Sequence, residues 1–164
     1  MVVVGGVFHE ALAGVTVLAA RDFLNDDDVV ADEPGDPPNQ HDHGTQVLST
    51  VAGYRDNELV GPAYGASVIL AKTEDRSAEY PLEEDYWVAG LEWAETFGVD
   101  IISSSLGYLD WYEWSDMDGN TAVTTIAADL AVGRGIVVVN SAGNERGGGW
   151  NHIIAPADGD SVIA

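Results

Sequence analysis

The chain has 164 residues, 46% of them hydrophobic, and no cysteine. This length and composition predict a single soluble globular domain with a buried core, and they exclude disulfide bonds and thiol catalysis. Aspartate and glutamate number 28 against 6 lysines and arginines, and the resulting net charge of −22 makes nucleic acid an unfavourable partner.

The acidic residues are spread along the chain, and their mutual repulsion destabilises a compact state in dilute buffer. Salt at molar concentration shortens the reach of that repulsion to about 3 Å, so we expect a halophilic protein. The alternative is an acidic mesophilic protein that binds cations locally.

The N-terminus has neither the basic residues nor the long apolar run of a secretory signal peptide. No segment approaches the roughly 20 consecutive apolar residues of a membrane-spanning helix. We therefore expect no membrane partner.

Apolar runs rich in β-branched residues alternate with helix-like stretches, a pattern typical of βαβ units around a parallel sheet. The predicted strands are Val2–Val4, Val15–Leu18, Ser67–Lys72, Asp100–Ser104, Ile136–Val139 and a last one at Ser161–Ala164. The continuous apolar run Ile136–Val139 predicts a central strand buried on both faces. The predicted fold class is α/β, a three-layer doubly wound sheet of mostly parallel strands.

Three helices are predicted between these strands. His43–Gly53 has apolar residues at helical spacing and ends in glycine, which places the histidine in the first turn of a short helix. Pro81–Gly98 has acidic residues in its first turn, where the helix dipole favours anions, followed by apolar residues at helical spacing. Asn120 is predicted to cap the third helix, which ends at the turn Gly133–Gly135.

Asn25–Asp42 is predicted to be a solvated loop, because it combines seven acidic residues and three prolines with no apolar periodicity. Asp26–Asp28 offer the hard oxygen ligands that calcium prefers, although their spacing fits no EF-hand. A calcium site and a merely hydrated acidic loop both remain open, and no cofactor is assigned.

His43 is a candidate general base. A histidine in the first turn of a helix lies near the positive end of the helix dipole, which favours the neutral imidazole that can accept a proton. A packed structural histidine is the alternative. His41, Asp42 and His43 are also candidate metal ligands, but the sequence offers no obvious third and fourth ligand to complete such a site.

Four blocks of sequence resemble those of the subtilase family of serine peptidases (peptidase family S8). In chain order they are Gln40–Gly53, Ile101–Gly107, Val137–Glu145 and Ala155–Ala164. The first contains His-Gly-Thr at His43–Thr45, with Gln46 where a second histidine is usual. The second ends in Ser-Leu-Gly, the third contains Ala-Gly-Asn at Ala142–Asn144, and the fourth begins with the Pro-Ala segment. The resemblance covers nearly the whole chain.

The resemblance implies a role for each matching residue. His43 would be the catalytic base, and Asn144 would donate its side-chain amide to the oxyanion, a contact worth on the order of 3 kcal/mol in related chemistry. The substrate-binding residues that it implies are Ser105, Leu106, Gly107, Ala142 and Gly143. The first three would form an edge whose backbone pairs with an extended substrate peptide. The last two would form one wall of the pocket for the substrate side chain that precedes the scissile bond.

Two parts of the family's machinery are absent from these residues. Val4 stands where the family has the aspartate that orients the base, and no Gly-Thr-Ser-x-Ala segment carries a nucleophile. A base is weak without its orienting group and has nothing to activate without a nucleophile. We therefore expect residues 1–164 to be an incomplete subtilase domain, truncated at its C-terminus and inactive as given.

The leading hypothesis is the front part of a subtilisin-like serine endopeptidase that, when complete, hydrolyses peptide bonds through a serine acyl-enzyme. Its partners would be peptide or protein substrates, and the resemblance implies secretion. One alternative is a non-catalytic peptide-binding module that retains the groove. The other is a metal-dependent hydrolase built on His41, Asp42 and His43.

Overall fold

The computed structural model describes residues 2–3 and 9–164, with side chains from residue 9 onward. The chain divides into two compact units, residues 1–78 and residues 79–164. Both contain parallel strands and helices, so the α/β prediction is confirmed, whereas the single-domain organisation stays a prediction. None of the described helices has the length and apolar character that crossing a bilayer requires.

The first unit, residues 1–78, is built on three parallel strands. Its elements are β1 (Val2–Val3), β2 (Thr16–Asp22), α1 (Asp42–Ala52), β3 (Tyr54–Arg55), β4 (Leu59–Val60) and β5 (Ser67–Lys72). β5 lies between β1 and β2 and is parallel to both, with Val2 opposite Leu70 and Asp22 opposite Lys72. β3 and β4 form a short antiparallel hairpin.

The apolar core of the first unit explains why α1 is a helix. This core consists of Leu12, Val30, Leu48, Ala52, Val68 and Leu70. Leu48 and Ala52 are four residues apart and therefore share one face of α1. Burial of a large apolar side chain contributes roughly 1.5–3 kcal/mol, which exceeds the intrinsic preferences of single residues. The same packing holds the N-terminal end of α1, which carries His43, in place.

The structure confirms the predicted elements of the first unit with modest changes of boundary. α1 matches the predicted helix His43–Gly53 to within one residue at each end. The strand predicted at Val15–Leu18 overlaps β2, which begins one residue later at Thr16 and continues to Asp22. Val4 lies outside the described residues.

The second unit, residues 79–164, pairs two strands with two helices. Its elements are α2 (Leu82–Glu95), β6 (Ile101–Ser104), α3 (Val123–Gly133) and β7 (Val137–Asn140), with short 3-10 turns at Trp114–Asp116 and Glu145–Gly147. β6 and β7 are parallel and in register, so that Ser104 lies opposite Asn140. α2 packs against α3, and α3 packs against β7. Trp87, Leu91 and Ala94 of α2 are buried, as their helical spacing predicts.

Strand β7 is buried on one face only, so the prediction of burial on both faces is wrong for the described residues. Val138 and Asn140 are buried, whereas Val137 and Val139 are 43% and 36% exposed. Successive side chains of a strand point to opposite faces. α3 packs against β7 and can cover only one of these faces.

Two further predictions for the second unit need correction. The residue that precedes α3 is Ala122 and not Asn120, because the backbone N–H of Asn120 donates to Asp118 Oδ1 (2.8 Å) in a separate turn. The strand predicted at Ser161–Ala164 is present as a single parallel bridge between Ile163 and Val139. Its two backbone hydrogen bonds both measure 2.9 Å.

Candidate functional site

His43 lies in the first turn of α1, as predicted, and its side chain is exposed to solvent. The next residue, Gly44, is buried, so the boundary between the solvated and the packed side of the helix runs between these two residues. Thr45 closes the turn, because its N–H and its hydroxyl both donate to the carbonyl of His41, at 3.0 and 2.8 Å. A histidine in this position can exchange protons with a bound molecule.

The segment just before α1 is anchored by one amide side chain. The Gln40 side chain, 8% exposed, donates to the carbonyl of Glu74 and accepts from the N–H of Arg76 (3.1 Å). The Arg76 guanidinium donates to the carbonyl of Asn39. These contacts hold the entry to α1 against the chain that follows β5. The sequence predicted a loop here, but it did not reveal the hydrogen bonds that hold this loop.

His41 is used structurally by the acidic loop. Its Nδ1 lies 2.5 Å from Asp32 Oδ1, and its backbone N–H donates to the same oxygen (3.0 Å). Burial raises the pKa of Asp32, but the hydrogen bonds and the charge of His41 lower it by a larger amount. This pKa therefore lies below its ordinary value. Asp42 Oδ1 is 3.8 Å from the other ring nitrogen. His41 therefore braces the loop that leads to His43.

A buried ion triad closes the carboxyl ends of β2 and β5. Lys72 Nζ lies 2.7 Å from Asp22 Oδ2 and 2.7 Å from Asp36 Oδ2, and the three side chains are 3%, 0% and 9% exposed. The other oxygen of Asp22 accepts from the N–H groups of Leu24 (2.8 Å) and Asn25 (3.2 Å). The loop predicted to be merely solvated is thus tied to the sheet through Asp36.

The acidic loop also brings together the carboxylates of Asp22, Asp27 and Glu33, whose nearest oxygens lie within 4.8 Å of one another. Lys72 already supplies a positive charge to Asp22, so these contacts do not require a metal ion. A calcium site was considered at Asp26–Asp28, of which Asp26 and Asp28 pair with Arg21 and Asp27 belongs to the group above. No cation is assigned to either group.

The ends of β6 and β7 lie side by side in the second unit and are joined by one buried side chain. Asn140, 3% exposed, donates through Nδ2 to the carbonyls of Leu106 and Ser141, both at 2.9 Å. The N–H of Ser141 donates to the carbonyl of Ser104 (3.0 Å), which extends the parallel ladder by one step. The predicted segments Ser105–Gly107 and Ala142–Asn144 therefore start side by side, and we call the region between them the strand-end groove.

Gly143 and Asn144 occupy the exposed end of this groove. Gly143 has φ of +92°, a conformation that favours glycine, and it turns the chain away from the sheet. Asn144 is exposed, and its side chain does not cap the described helical turn Glu145–Gly147 that it precedes. Its amide can therefore donate to a molecule that approaches from solvent.

One side chain packs beneath both glycines of the groove. Tyr108 and Ala155 exchange backbone hydrogen bonds of 2.8 and 3.2 Å, which brings the neighbouring Ile154 against Gly107 and Gly143. A Cβ at Gly107 would lie 2.4 Å from Ile154 Cδ1, and one at Gly143 would lie 2.8 Å from the same atom. Both positions therefore require glycine while Ile154 is in place.

An aromatic loop follows the groove and is anchored by a buried carboxylate. Glu84, 4% exposed in the first turn of α2, accepts from Trp111 Nε1 (2.7 Å), the Tyr112 hydroxyl (2.7 Å) and Thr124 Oγ1 (3.0 Å). Burial, together with the Glu84 hydrogen bond and charge, raises the pKa of Tyr112 to about 12. Trp87 Nε1 donates to Ser104 Oγ (3.0 Å) at the base of the groove.

The structure thus brings together the substrate-binding residues predicted at the ends of β6 and β7, and it places His43 at the start of α1 in the first unit. Sequence reasoning missed Lys72, Asn140, Ile154 and Glu84. Lys72 and Glu84 are charged residues at positions predicted to be strand and helix, which is the one signal that could have found them.

The sequence profile of the Subtilase family (Peptidase_S8) matches residues 7–164. The chain is 37% identical over 124 residues to subtilisin DY of Bacillus licheniformis, covering 74% of this chain and 41% of the relative. It is 35% identical over 126 residues to subtilisin E of Bacillus subtilis (strain 168), covering 74% of this chain and 30% of the relative.

Among solved structures, a mutant of the protease domain of PatA superposes with a TM-score of 0.70 at 23% identity, covering 99% of this chain and 54% of that one. This likeness concerns the fold. The chain spans less than half the length of the two subtilisins that it matches.

Proposed function

The chain belongs to the subtilase family, and from that premise we propose that it is the front part of a serine endopeptidase domain in which the strand-end groove binds an extended peptide. The observation that carries the proposal is the groove itself. Asn140 joins Leu106 to Ser141, and the chain continues into Gly143 and the exposed Asn144. Backbone groups at Ser105–Gly107 can pair with a peptide strand laid along them.

In this proposal His43 is the general base and Asn144 is an oxyanion donor. His43 is exposed in the first turn of α1, where its imidazole is accessible to a bound substrate. Asn144 presents an exposed amide after Gly143, and one such donor contributes on the order of 3 kcal/mol to stabilising a tetrahedral intermediate. Ala142 and Gly143 form one wall of the pocket for the side chain that precedes the scissile bond.

We further propose that residues 1–164 do not cleave peptides on their own. They contain no Gly-Thr-Ser-x-Ala segment, and Val4 stands at the position of the orienting aspartate. A serine-directed fluorophosphonate probe added to the purified chain is expected to give no covalent adduct by intact mass spectrometry. An adduct that forms on the native chain, but not on a chain denatured by heat before the probe is added, would contradict this proposal.

Peptide binding to the groove is testable by NMR on the 15N-labelled chain. An unstructured ten-residue peptide is expected to shift the amide resonances of Ser105–Gly107 and Ala142–Asn144. The same peptide with alternate amides N-methylated cannot pair with a strand edge and is expected not to bind. If only amide resonances outside these segments shift, or if the methylated peptide binds equally well, the groove is not the peptide-binding site.

A matched pair of variants tests whether the cross-link at the base of the groove positions it. Asn140→Ala removes the donor shared by Leu106 and Ser141 and is expected to weaken peptide binding about tenfold, the equivalent of one lost hydrogen bond. Asn120→Ala, at an exposed turn, is the control and should leave binding unchanged. Equal affinities for the two variants would remove Asn140 from this role.

The same groove also suits a non-catalytic peptide-binding module, the second candidate. The coding sequence downstream of Ala164 discriminates between them. A Gly-Thr-Ser segment in frame favours the peptidase, and a stop codon favours the module. Both candidates take peptide or protein ligands.

The family resemblance and the charge lead to two proposals about the environment. We propose an extracytoplasmic location for the complete protein and a salt-rich milieu for the chain, whose net charge is −22. If repulsion between exposed carboxylates limits stability, the melting temperature will rise steadily between 0.1 and 2 M KCl, because screening shortens the reach of each charge. A flat or falling curve would contradict the halophilic proposal.

A further inference from the structure

The six cationic side chains of the protein differ in whether the fold engages them. Lys72 is buried between two carboxylates, and four of the arginines have partners within the chain. These arginines are Arg21 with Asp26 and Asp28, Arg55 with Glu10 and Glu58, Arg76 with the carbonyl of Asn39, and Arg134 with Glu95. Arg146 is exposed, and among residues 2–3 and 9–164 its guanidinium has no hydrogen-bond or ion-pair partner. A cation without a partner is the exception in a chain with 28 acidic residues.

Arg146 lies in the glycine-rich loop that follows the strand-end groove. Residues 146–149 are all exposed. A Cβ added at Gly147 or at Gly149 would meet no atom within 4 Å, so no neighbouring atom restricts the backbone on that side. Glycine also has more backbone freedom than any other residue. The bond between Arg146 and Gly147 is therefore accessible, and the backbone that follows it can change conformation.

Two backbone hydrogen bonds close this loop. The carbonyl of Glu145 accepts from the N–H of Gly148 (3.2 Å) and from that of Asn151 (3.1 Å). A peptidase binds its substrate as an extended strand, so both bonds must open before the loop can be cleaved. Local opening of an exposed loop needs far less free energy than global unfolding. The folded protein can therefore present this segment to a peptidase.

We propose that the Arg146–Gly147 bond is a processing site for an arginine-specific endopeptidase, and that cleavage there disables the Asn144 side of the strand-end groove. The second half of this inference rests on the function proposed above for the groove. The partner is a peptidase with a carboxylate at the base of its specificity pocket, the group that selects a guanidinium. Hydrolysis adds one water molecule across the amide. The C–N bond breaks, a C–O bond forms, and the products are a carboxylate on Arg146 and an ammonium on Gly147.

The surroundings of each arginine favour cleavage after Arg146. No acidic residue occurs in the range 147–153 that follows this bond. Arg55, by contrast, is followed by Asp56, and its guanidinium already binds carboxylates. A carboxylate beside the scissile bond repels the acidic pocket that must receive the arginine. Arg76 is tethered through both its N–H and its guanidinium.

The segment beyond the cut would stay attached to the folded chain. Ala155 exchanges two backbone hydrogen bonds with Tyr108, and Ile163 bonds to β7 through two more, both of 2.9 Å. The N–H of Asp160 donates to Asp129 (3.2 Å). Cleavage therefore alters the loop without releasing the C-terminal segment.

The covalent support of Asn144 changes on cleavage. This residue precedes the cut by two positions, so its backbone becomes part of a free chain end. The new carboxylate on Arg146 also brings a negative charge close in sequence to the amide proposed to stabilise an oxyanion, and such a charge opposes that stabilisation. Cleavage is therefore expected to loosen Ala142–Asn144 and to weaken peptide binding.

Limited proteolysis tests the site. The native 164-residue chain is incubated with a catalytic amount of trypsin, and the products are identified by intact mass spectrometry. The first products are expected to be residues 1–146 and 147–164, formed at least about tenfold faster than any other pair, because cleavage of a folded chain follows the population of its locally open state. A first cleavage after Lys72 or after any other arginine would overturn the site.

Two variants at position 146 and one elsewhere establish what is recognised. Arg146→Gln should abolish this cleavage, whereas Arg146→Lys should still be cut, because an acidic pocket accepts either cation. Arg134→Gln is the matched control, since it removes another exposed arginine and should leave the rate of cleavage after Arg146 unchanged. Continued cleavage at the same bond in the glutamine variant would show that the cation is not what the peptidase selects.

The effect of cleavage is measured on the nicked chain after trypsin has been removed. The amide resonances of Ala142–Asn144 in the 15N-labelled protein are expected to move towards those of an unstructured chain, while those of α3 stay in place. The nicked chain is expected to bind the unstructured ten-residue peptide about tenfold more weakly than the intact chain. Cleavage without loss of affinity would overturn the second half of the proposal. If the intact chain does not bind the peptide either, the proposed groove is wrong and that half fails with it, whereas the masses still decide the site of cleavage.

Discussion

The acidic loop before α1 is tied to the sheet by buried charges, whereas the strand-end groove is held by neutral hydrogen bonds and by packing around two glycines. On the first side, Lys72 joins Asp22 and Asp36. On the second, the Asn140 amide joins two carbonyls and Ile154 fills the space beneath Gly107 and Gly143. Charged and neutral supports respond differently to pH and salt.

The difference teaches which conditions act on the loop before α1 in the first unit and which act on the strand-end groove in the second. Removing one partner of a buried ion pair leaves an uncompensated charge in a poorly solvated place, and protonation has a similar effect. Neutral amide contacts and van der Waals packing do not titrate. We therefore expect acid to loosen the surroundings of His43 before it loosens the groove. Hydrogen exchange read by mass spectrometry can follow the two parts separately.

The largest expected effect comes from removing the buried cation. Lys72→Met leaves Asp22 and Asp36 buried without their partner and should lower the free energy of unfolding of the first unit by about 3–5 kcal/mol. Amides of β2 and β5 should then exchange faster, while those of β6 and β7 change little.

Arg134→Met is the control for this substitution, because the Arg134–Glu95 pair is 63% and 38% exposed and such pairs contribute roughly 0–1 kcal/mol. If the Lys72 variant loses no more stability than the Arg134 variant in urea unfolding, the triad is not the main support of the first unit.

An intermediate effect is expected from filling one glycine of the groove. Gly107→Ala forces a methyl group into Ile154 and should destabilise the second unit by about 1–3 kcal/mol. Combined with Ile154→Ala, the same substitution should cost much less, so the two changes should be strongly non-additive.

Gly133→Ala is the matched control for glycine replacement. Its new methyl group would meet no atom within 4 Å, and the residue ends α3, so the substitution should be neutral or should stabilise by up to about 1 kcal/mol. Additivity of the Gly107 and Ile154 substitutions in a double-mutant cycle would show that the two side-chain positions do not compete for space.

The smallest expected effect is a change of pH dependence. Burial raises the pKa of Asp36, but the Lys72 hydrogen bond and charge lower it more, so this pKa lies below the ordinary 3.8. The stability that Asp36 contributes is therefore fully present above pH 3.8 and is lost as the pH falls through the lower, folded-state value. One group changes the unfolding free energy by at most about 1.4 kcal/mol per pH unit.

Asp36→Asn removes this dependence while keeping the shape of the side chain. The variant should lose stability less steeply than the native chain when urea unfolding is compared at pH 2.5, 3.5 and 5. Asp118→Asn is the control. The pKa of Asp118 is also lowered, through backbone hydrogen bonds near Asn120. This residue belongs to the second unit and is remote in sequence from the triad. Equal slopes for the native chain and the Asp36 variant would show that this carboxylate does not carry the acid response.

Local patterns were enough to predict most of the elements and several of the candidate residues. The helix predicted at His43–Gly53 and the strands predicted at Val15–Leu18 and Ser67–Lys72 are periodic or continuous apolar segments, and periodicity depends only on near neighbours. His43 and Ala142–Asn144 stand in blocks whose order identified the family that the comparisons confirm.

Where sequence reasoning went wrong, the deciding partner lay elsewhere in the chain. Ile136–Val139 is apolar throughout, yet the exposure of Val137 and Val139 depends on which face α3 covers. The helix dipole alone explains an acidic residue in the first turn of α2, but Glu84 is also buried, with Trp111, Tyr112 and Thr124 donating to it. No pattern within α2 contains that information.

The sequence by itself determined the family, the helices and strands near the site, the large negative charge and the absence of a Gly-Thr-Ser segment, since each of these is written in neighbouring residues or in composition. Only the tertiary structure decided what supports the site. Lys72 meets Asp36 across 36 positions and Asn140 meets Leu106 across 34. Ile154 likewise reaches Gly107 only after the chain has folded. Such contacts form where burial makes an unpaired polar group or an empty space costly, and that cost exists only in the folded core.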